Sequence, residues 1–145
     1  MRIFGRLRLL ASVLLLAAAA AGCGGSTDHS PTAPVVTIRE RDFAISSPTL
    51  TVPAGEVVLR AVNRGPDAHE LIVVRADTPV LLPLRADGLG VDEGALKSAT
   101  AGALEPAGPG AVRDLRVRFK PGRYVLFCNM SGHFMGGMHT TLVVR

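Results

Sequence analysis

The chain has 145 residues, of which 48% are hydrophobic and 19% are charged, and its formal net charge is +4 at pH 7. The positive charge does not indicate nucleic-acid binding, because three arginines and no acid lie in the first 22 residues. Removing those 22 of 145 residues leaves 123 and lowers the net charge from +4 to +1. That length fits one compact domain with its own core.

The N-terminus has the pattern of an export signal. Arg2, Arg6 and Arg8 precede an apolar run over residues 9–21. This order is typical of secretion signals, and the run is too short for a membrane span, which needs roughly 20 apolar residues. The run ends in Ala20-Ala21-Gly22-Cys23, which resembles the lipobox of bacterial lipoproteins. We expect a signal peptide at 1–22, lipidation of Cys23 and a membrane anchor; an ordinary cleavage site is the alternative.

Residues 23–34 are small and polar, contain two prolines and are interpreted as a flexible tether. A domain over 35–145 follows. Its β-branched runs and intervening Gly/Pro turns predict an all-β sandwich or barrel. The predicted strands cover 35–38, 50–52, 57–62, 69–74, 115–119, 124–127 and 141–144.

Residues 77–110 are rich in Ala, Gly, Leu and Pro and lack this pattern. We interpret them as a long connection between the two halves of the sandwich, with a short helix within 92–99. The strand over 115–119 alternates: Leu115, Val117 and Phe119 define one face, and basic residues define the other. We interpret the basic row as a solvated sheet face, in preference to a docking site.

Cys128 is the only cysteine besides Cys23. In an oxidising compartment it has no partner for an internal disulfide, so it is either a buried apolar thiol or a metal ligand. His133 and Met138 follow it as C-x4-H-x4-M. One thiolate, imidazole nitrogens and a weak thioether are the donors of a blue-copper site, which needs a second histidine. His69 opens an apolar strand after a turn and is the candidate; zinc is less suited to a thioether.

Several motifs together resemble the cupredoxins of the plastocyanin and azurin superfamily. They are Pro53-Ala54-Gly55, Asn63 and Gly65 ahead of His69-Glu70-Leu71, Pro121-Gly122-x-Tyr124, Cys128-Asn129-x-x-Gly132-His133 and Gly137-Met138. The four-residue gaps resemble rusticyanin, auracyanin and sulfocyanin. The resemblance implies a Greek-key sandwich with one type 1 copper ion, bound by His69, Cys128 and His133 with Met138 axial.

Two residues depart from the family pattern: Glu70 stands where many members have Asn, and Ser131 where Pro is common. Because of Glu70, it is open whether the hydrogen bond that usually braces the site is present here. Each ligand also has a structural alternative, such as a strand-end histidine for His69 or core packing for Met138. Met130 and Met135 are interpreted as packing or loop residues, and the side chain of His139 should point away from that of Met138.

We therefore expect an exported electron carrier. We do not expect an enzyme, because protein atoms fill all four copper positions and leave none for a substrate. The resemblance places the exposed edge of His133 at the docking site of a redox partner, beside an apolar patch at 134–137. We expect a monomer, anchored to the outer face of the cell membrane or in the periplasm. The alternatives are copper delivery or buffering, a subunit of a multicopper enzyme, and a metal-free adhesion sandwich.

Overall fold

The computed structural model describes residues 32–145, so the predicted signal peptide, Cys23 and most of the predicted tether lie outside the described residues. Within 32–145, no helix is long and apolar enough to cross a membrane. Nine strands, one short helix and a 3-10 turn at Pro79–Leu81 make up the described part of the chain. The strands and helix are β1 (Val35–Arg41), β2 (Ala44–Ser46), β3 (Thr51–Val52), β4 (Gly55–Asn63), β5 (His69–Arg75), α1 (Glu93–Leu96), β6 (Thr100–Ala107), β7 (Val112–Phe119), β8 (Gly122–Phe127) and β9 (His139–Val144).

The strands form two sheets, with the orders β2-β1-β4-β7 and β3-β9-β8-β5-β6. Most neighbours are antiparallel, whereas β1 runs parallel to β4 and β3 parallel to β9. In each parallel pair, a strand from the N-terminal part of the domain lies beside a strand that comes later in the chain. This arrangement confirms the all-β sandwich predicted from the sequence.

Side chains from both sheets meet in one apolar core. Strand alternation places every second residue inward. The core side chains of the four-stranded sheet include Val36, Ile38, Val57, Leu59, Val117 and Phe119, and those of the five-stranded sheet include Leu71, Val73, Leu126, Leu142 and Val144. Cys128 and Met138 belong to the same cluster, so both candidate sulfur ligands are part of the core.

The segment after β5 differs in part from the sequence-based interpretation. Residues 100–107 do not form an irregular connection; they form β6, an edge strand paired with β5. The predicted short helix is present as α1, and the Asp92 carboxylate caps it by accepting from the Ala95 amide. Strand β2 was also not predicted.

The remainder of that segment covers the outer face of the five-stranded sheet. Leu82, Val91 and Leu96 form a second apolar cluster with residues of the sheet and with Phe134. The sheet residues in this cluster are Ile72, Val74, Val125 and Phe127. β5 is consequently buried on both faces, which explains its nearly continuous apolar sequence.

The basic face of β7 is solvated, as predicted. Arg116 and Arg118 are exposed, and both lie near the Glu56 carboxylate, at 3.0 and 3.9 Å. The opposite face contributes Val117 and Phe119 to the core.

A buried ion pair links β1 to β7. Glu40 lies on the inward face of β1 and is fully buried, and its Oε2 accepts from Arg113 Nη2 at 2.8 Å. Arg113 Nη1 also donates to the Glu105 carbonyl. Burial raises the pKa of Glu40, and the Arg113 guanidinium opposes that rise. The pair therefore holds a carboxylate in the core only because its counter-charge is in place.

Arg113→Met should lower the free energy of unfolding at pH 7 by about 3 kcal/mol, because it leaves a buried carboxylate without its partner. The folded-state pKa of Glu40 is raised, so the folded protein binds more protons than the unfolded chain. The stability of the variant should therefore fall as pH rises above the ordinary glutamate range. Urea unfolding at pH 5 and pH 7 measures both effects.

Arg60→Met is the matched control, because Arg60 on β4 forms a solvent-exposed pair with Asp114, the residue that follows Arg113 on β7. Exposed pairs contribute little, so this variant should unfold almost like the wild type. Equal destabilisation by the two substitutions would contradict the role given to the Glu40–Arg113 pair.

Candidate metal centre

The loop between β8 and β9 holds three of the predicted ligands. Cys128 directly follows β8, and Met138 directly precedes β9. The Cys128 amide donates to the Met138 carbonyl at 3.1 Å, and the Met138 amide donates to the His133 carbonyl at 2.9 Å. Backbone hydrogen bonds thus tie Cys128, His133 and Met138 to one another.

Two glycines give this loop its shape, and a third makes room for a neighbour. Gly132 and Gly137 have φ angles of +78° and +100°, in the region that favours glycine. Gly136 does not have a positive φ. Instead, a Cβ added there would lie 2.2 Å from the ring of Phe43, so Gly136 is required for space.

His69 reaches the site from the start of β5. The preceding turn is ordered by the buried side chain of Asn63, which donates to the carbonyls of Asp67 and Ala107 and accepts from the Gly65 amide. Asn63 therefore holds the turn that presents His69. His69 itself is fully buried.

The structure brings His69, Cys128 and His133 together. One ligand atom from each of the three lies within 4.8 Å of the others. Cys128 Sγ is 3.6 Å from His133 Nδ1, and the ring centres of His69 and His133 are 5.2 Å apart. His69 Nδ1 is buried and has no hydrogen-bond partner among the described residues. Met138 is fully buried in the same core cluster as Cys128.

This donor set fits a copper ion. A thiolate with two imidazole nitrogens and a thioether is the set found in blue-copper sites. The unpartnered nitrogen of His69 supports the fit, since a buried polar atom without a partner is unfavourable unless it has a ligand. His69, Cys128 and His133 would hold the metal with Met138 beside them.

Burial governs the protonation of the candidate ligands. It raises the pKa of the Cys128 thiol, an effect that the backbone amides of Glu70 and Met130 partly offset. Burial and the nearby His133 ring lower the pKa of His69, with Asp42 opposing. Without a metal the site therefore favours a neutral thiol and a neutral His69, whereas a bound cation would hold the sulfur as thiolate.

Glu70 supplies a brace across the site, although it departs from the family pattern. Its Oε1 accepts from the Asn129 amide at 2.9 Å, next to Cys128. Burial raises the pKa of Glu70, and that hydrogen bond opposes the rise. A carboxylate can accept from this amide as an Asn side-chain oxygen would, so the doubt raised by the sequence does not hold.

Asn129 fastens the covering segment to the ligand loop. Its Oδ1 accepts from the Val91 amide at 2.6 Å, and its Nδ2 donates to the Val91 carbonyl and to Glu93 Oε1. The Gly132 amide adds a bond to the Leu89 carbonyl. The segment that looked like a simple connection therefore supports the loop that carries the ligands.

The turn between β1 and β2 also contacts the site, and nothing in the sequence had marked it. The Phe43 ring packs edge-on against the His133 ring, with the ring centres 5.4 Å apart. Asp42, the residue before it, lies beside His69. Consecutive side chains of one short turn thus contact both histidines.

The other residues considered around the loop take separate places. Met130 is partly buried against the core, and Met135 is exposed. His139 packs against Phe134 on the outer side, with the ring centres 5.1 Å apart, and so points away from Met138. Phe134 itself is buried, which corrects the expectation that it forms part of a surface patch.

No family model and no curated protein match the chain at the sequence level. Its structure is similar to that of dithionite-reduced auracyanin from the photosynthetic bacterium Roseiflexus castenholzii, with a TM-score of 0.61 and 22% identity over 78% of this chain and 98% of that one. Auracyanin B matches with a TM-score of 0.60 and 24% identity, over 78% of this chain and 89% of that one. The azurin Az-iso2 from Methylomonas sp. strain J matches with a TM-score of 0.59 and 18% identity, over 79% of this chain and 99% of that one.

These matches define the class of fold: the described part of the chain has the same two-sheet β-sandwich fold as the cupredoxins. Auracyanin and azurin are among the proteins that it resembles in structure, and the match covers at least 89% of the length of each of these three chains.

Proposed function

We propose that this protein binds one copper ion through His69, Cys128, His133 and Met138, and that it transfers electrons as the ion cycles between Cu(I) and Cu(II). The observation that carries the proposal is the buried cluster in which ligand atoms of both histidines and the cysteine lie within 4.8 Å. The same donor set on a cupredoxin sandwich supports copper rather than zinc.

Electron transfer fits the site better than catalysis does. The four donors come from the protein, which leaves no open position for a substrate, and catalytic metal sites keep such a position. The similar auracyanin was examined after reduction by dithionite, so that protein is redox-active. Copper supplies the redox couple when bound, and the protein holds the donors in one arrangement.

Copper binding can be tested by titrating the purified full chain with Cu(II) and recording the visible spectrum. We expect one equivalent to bind and to give an intense absorption, because copper is bonded to a thiolate. Cys128→Ser should abolish the colour. Met135→Leu, which alters an exposed sulfur of the same loop, should leave the spectrum unchanged.

A coloured Cys128→Ser protein would overturn the ligand assignment. The wild-type sample, reduced and incubated with a Cu(I) chelator of moderate affinity, gives a second readout. Retention of copper through repeated redox cycles supports an electron carrier, whereas rapid loss on reduction supports the copper-delivery alternative.

We further propose that the redox partner docks on exposed apolar residues around the His133 loop. Met135 is 52% exposed, and it lines a shallow cavity of about 250 Å³ together with Val80 and Leu84. Phe43, which is 53% exposed, lies on the other side against His133 and Gly136. An apolar surface of this kind suits the small, short-lived contacts of redox proteins.

Met135→Glu should slow electron self-exchange between copies of the protein about tenfold or more, because it brings like charges together at the contact. NMR line broadening in mixtures of Cu(I) and Cu(II) protein measures this rate. Raising the salt concentration should restore part of the rate, since the added charges are exposed.

Val35→Glu is the matched control. Val35 is 51% exposed and starts β1, whereas the turn at Asp42 and Phe43 follows the other end of that strand. This variant should exchange electrons at nearly the wild-type rate. Equal slowing by both substitutions, or by neither, would contradict docking at the His133 loop. Gly136 is unsuitable for the test because any side chain there displaces Phe43.

We also propose that residues 1–22 are removed on export and that Cys23 is lipidated and anchors the domain at 35–145 through the tether at 23–34. The support is the basic and apolar pattern of the leader, followed directly by a cysteine. Location outside the cytoplasm agrees with an electron carrier of the auracyanin and azurin type.

Lipidation predicts that the protein expressed in a bacterial host sediments with membranes and that its Cys23→Ala variant does not receive the acyl chains. Two acyl chains anchor a protein stably, whereas a single chain binds membranes only marginally. A protein that lacks both chains and has lost its signal peptide should therefore be released from the membrane. Membrane fractionation with mass spectrometry of the N-terminal peptide tests this. A soluble wild-type protein that starts after Cys23 would contradict the anchor.

A further inference from the structure

The buried ring of His69 has a carboxylate beside it. His69 Nε2 and Asp42 Oδ1 are 3.0 Å apart, which is within hydrogen-bond distance, although the N–H bond is not aligned with the oxygen. Both atoms are buried, and neither has another partner among residues 32–145. Because buried polar atoms need partners, each is the natural partner of the other.

The surrounding backbone is built to permit this contact. A Cβ added at Gly65 would lie 2.6 Å from Asp42 Oδ1 and 2.8 Å from His69 Nε2. Only glycine leaves room for the carboxylate to approach the ring. Gly65 in turn is held by its amide hydrogen bond to Asn63, so the gap is a fixed feature of the turn before β5.

The other side of the contact is held in an unusual conformation. Phe43, directly after Asp42, has a φ of +60° and is the only non-glycine residue of the described chain with a positive φ. This conformation is rare for a bulky side chain, and such strain is typically retained at functional sites. Here it lets one turn place Asp42 against His69 and Phe43 against His133.

We propose that Asp42 is a positioning residue of the metal centre: its carboxylate holds the proton of His69 on Nε2, which keeps Nδ1 free for copper, and its charge favours Cu(II) over Cu(I). The proposal rests on the proposed function and deepens it. Carboxylates that accept from the second nitrogen of a metal-binding histidine fix its tautomer and raise its basicity. Cu(II) carries the larger charge, so a nearby anion stabilises it more than Cu(I).

The metal-free protein gives the first test, which does not depend on copper. Nitrogen-15 NMR of the wild-type apoprotein should show His69 protonated on Nε2, with a slowly exchanging proton. Asp42→Asn retains a side-chain oxygen and should keep that slow exchange, whereas Asp42→Ala should lose it. A proton on Nδ1 in the wild type, or no change in Asp42→Ala, would overturn the proposal.

The copper-loaded protein gives the second test. Asp42→Asn should still bind one copper, but its preference for Cu(II) over Cu(I) should fall about tenfold, which raises the reduction potential by about 59 mV for one electron. Asp67→Asn is the matched control, because Asp67 lies two residues before His69 and is exposed, and its charge acts on His69 less than that of Asp42 does. It should change the preference less than about twofold.

Equal shifts in Asp42→Asn and Asp67→Asn, or no shift in either, would refute the electrostatic part of the proposal. Failure of the wild-type protein to bind copper would instead refute the proposed function, and the NMR result on the apoprotein would still decide the role of Asp42. The two failures are therefore distinguishable.

Discussion

The hydrogen bond from the Cys128 amide to the Met138 carbonyl closes the loop on which the candidate site depends. With the bond from the Met138 amide to His133, it fixes three donor residues relative to the end of β8 and the start of β9. The loop is thus held by its own backbone, which positions the candidate ligands. A loop held in this way offers the same ligands to both oxidation states, which suits an electron carrier.

That loop also depends on support from both sides. On the outer side, Asn129 and Gly132 form hydrogen bonds with the segment before α1, which also packs over Phe134. On the inner side, Glu70 accepts from the Asn129 amide and joins the loop to β5, the strand that begins with His69. His69, the fourth candidate ligand, is therefore connected to the other three through the Glu70 carboxylate, as well as through the core between the sheets.

Much of the fold could be predicted because the sandwich core follows simple alternation, as with Leu115, Val117 and Phe119. The donor residues stood out because a cysteine without a partner, a histidine and a methionine follow at equal spacing. β6 could not be predicted: Gly102 and Pro106 are poor strand residues, and only pairing with β5 at the sheet edge makes the segment extended. Asp42 and Phe43 could not be predicted either, since their role depends on where a two-residue turn lies in space.

The assignment of the ligands is tested most directly by a crystal structure of the copper-loaded protein with an anomalous difference map recorded at the copper edge. The account predicts a single strong peak bonded to Cys128 Sγ and to one nitrogen each of His69 and His133, with Met138 Sδ as the next neighbour. A peak elsewhere, for example between Met135 and His139, or no peak within bonding distance of Cys128, would contradict it.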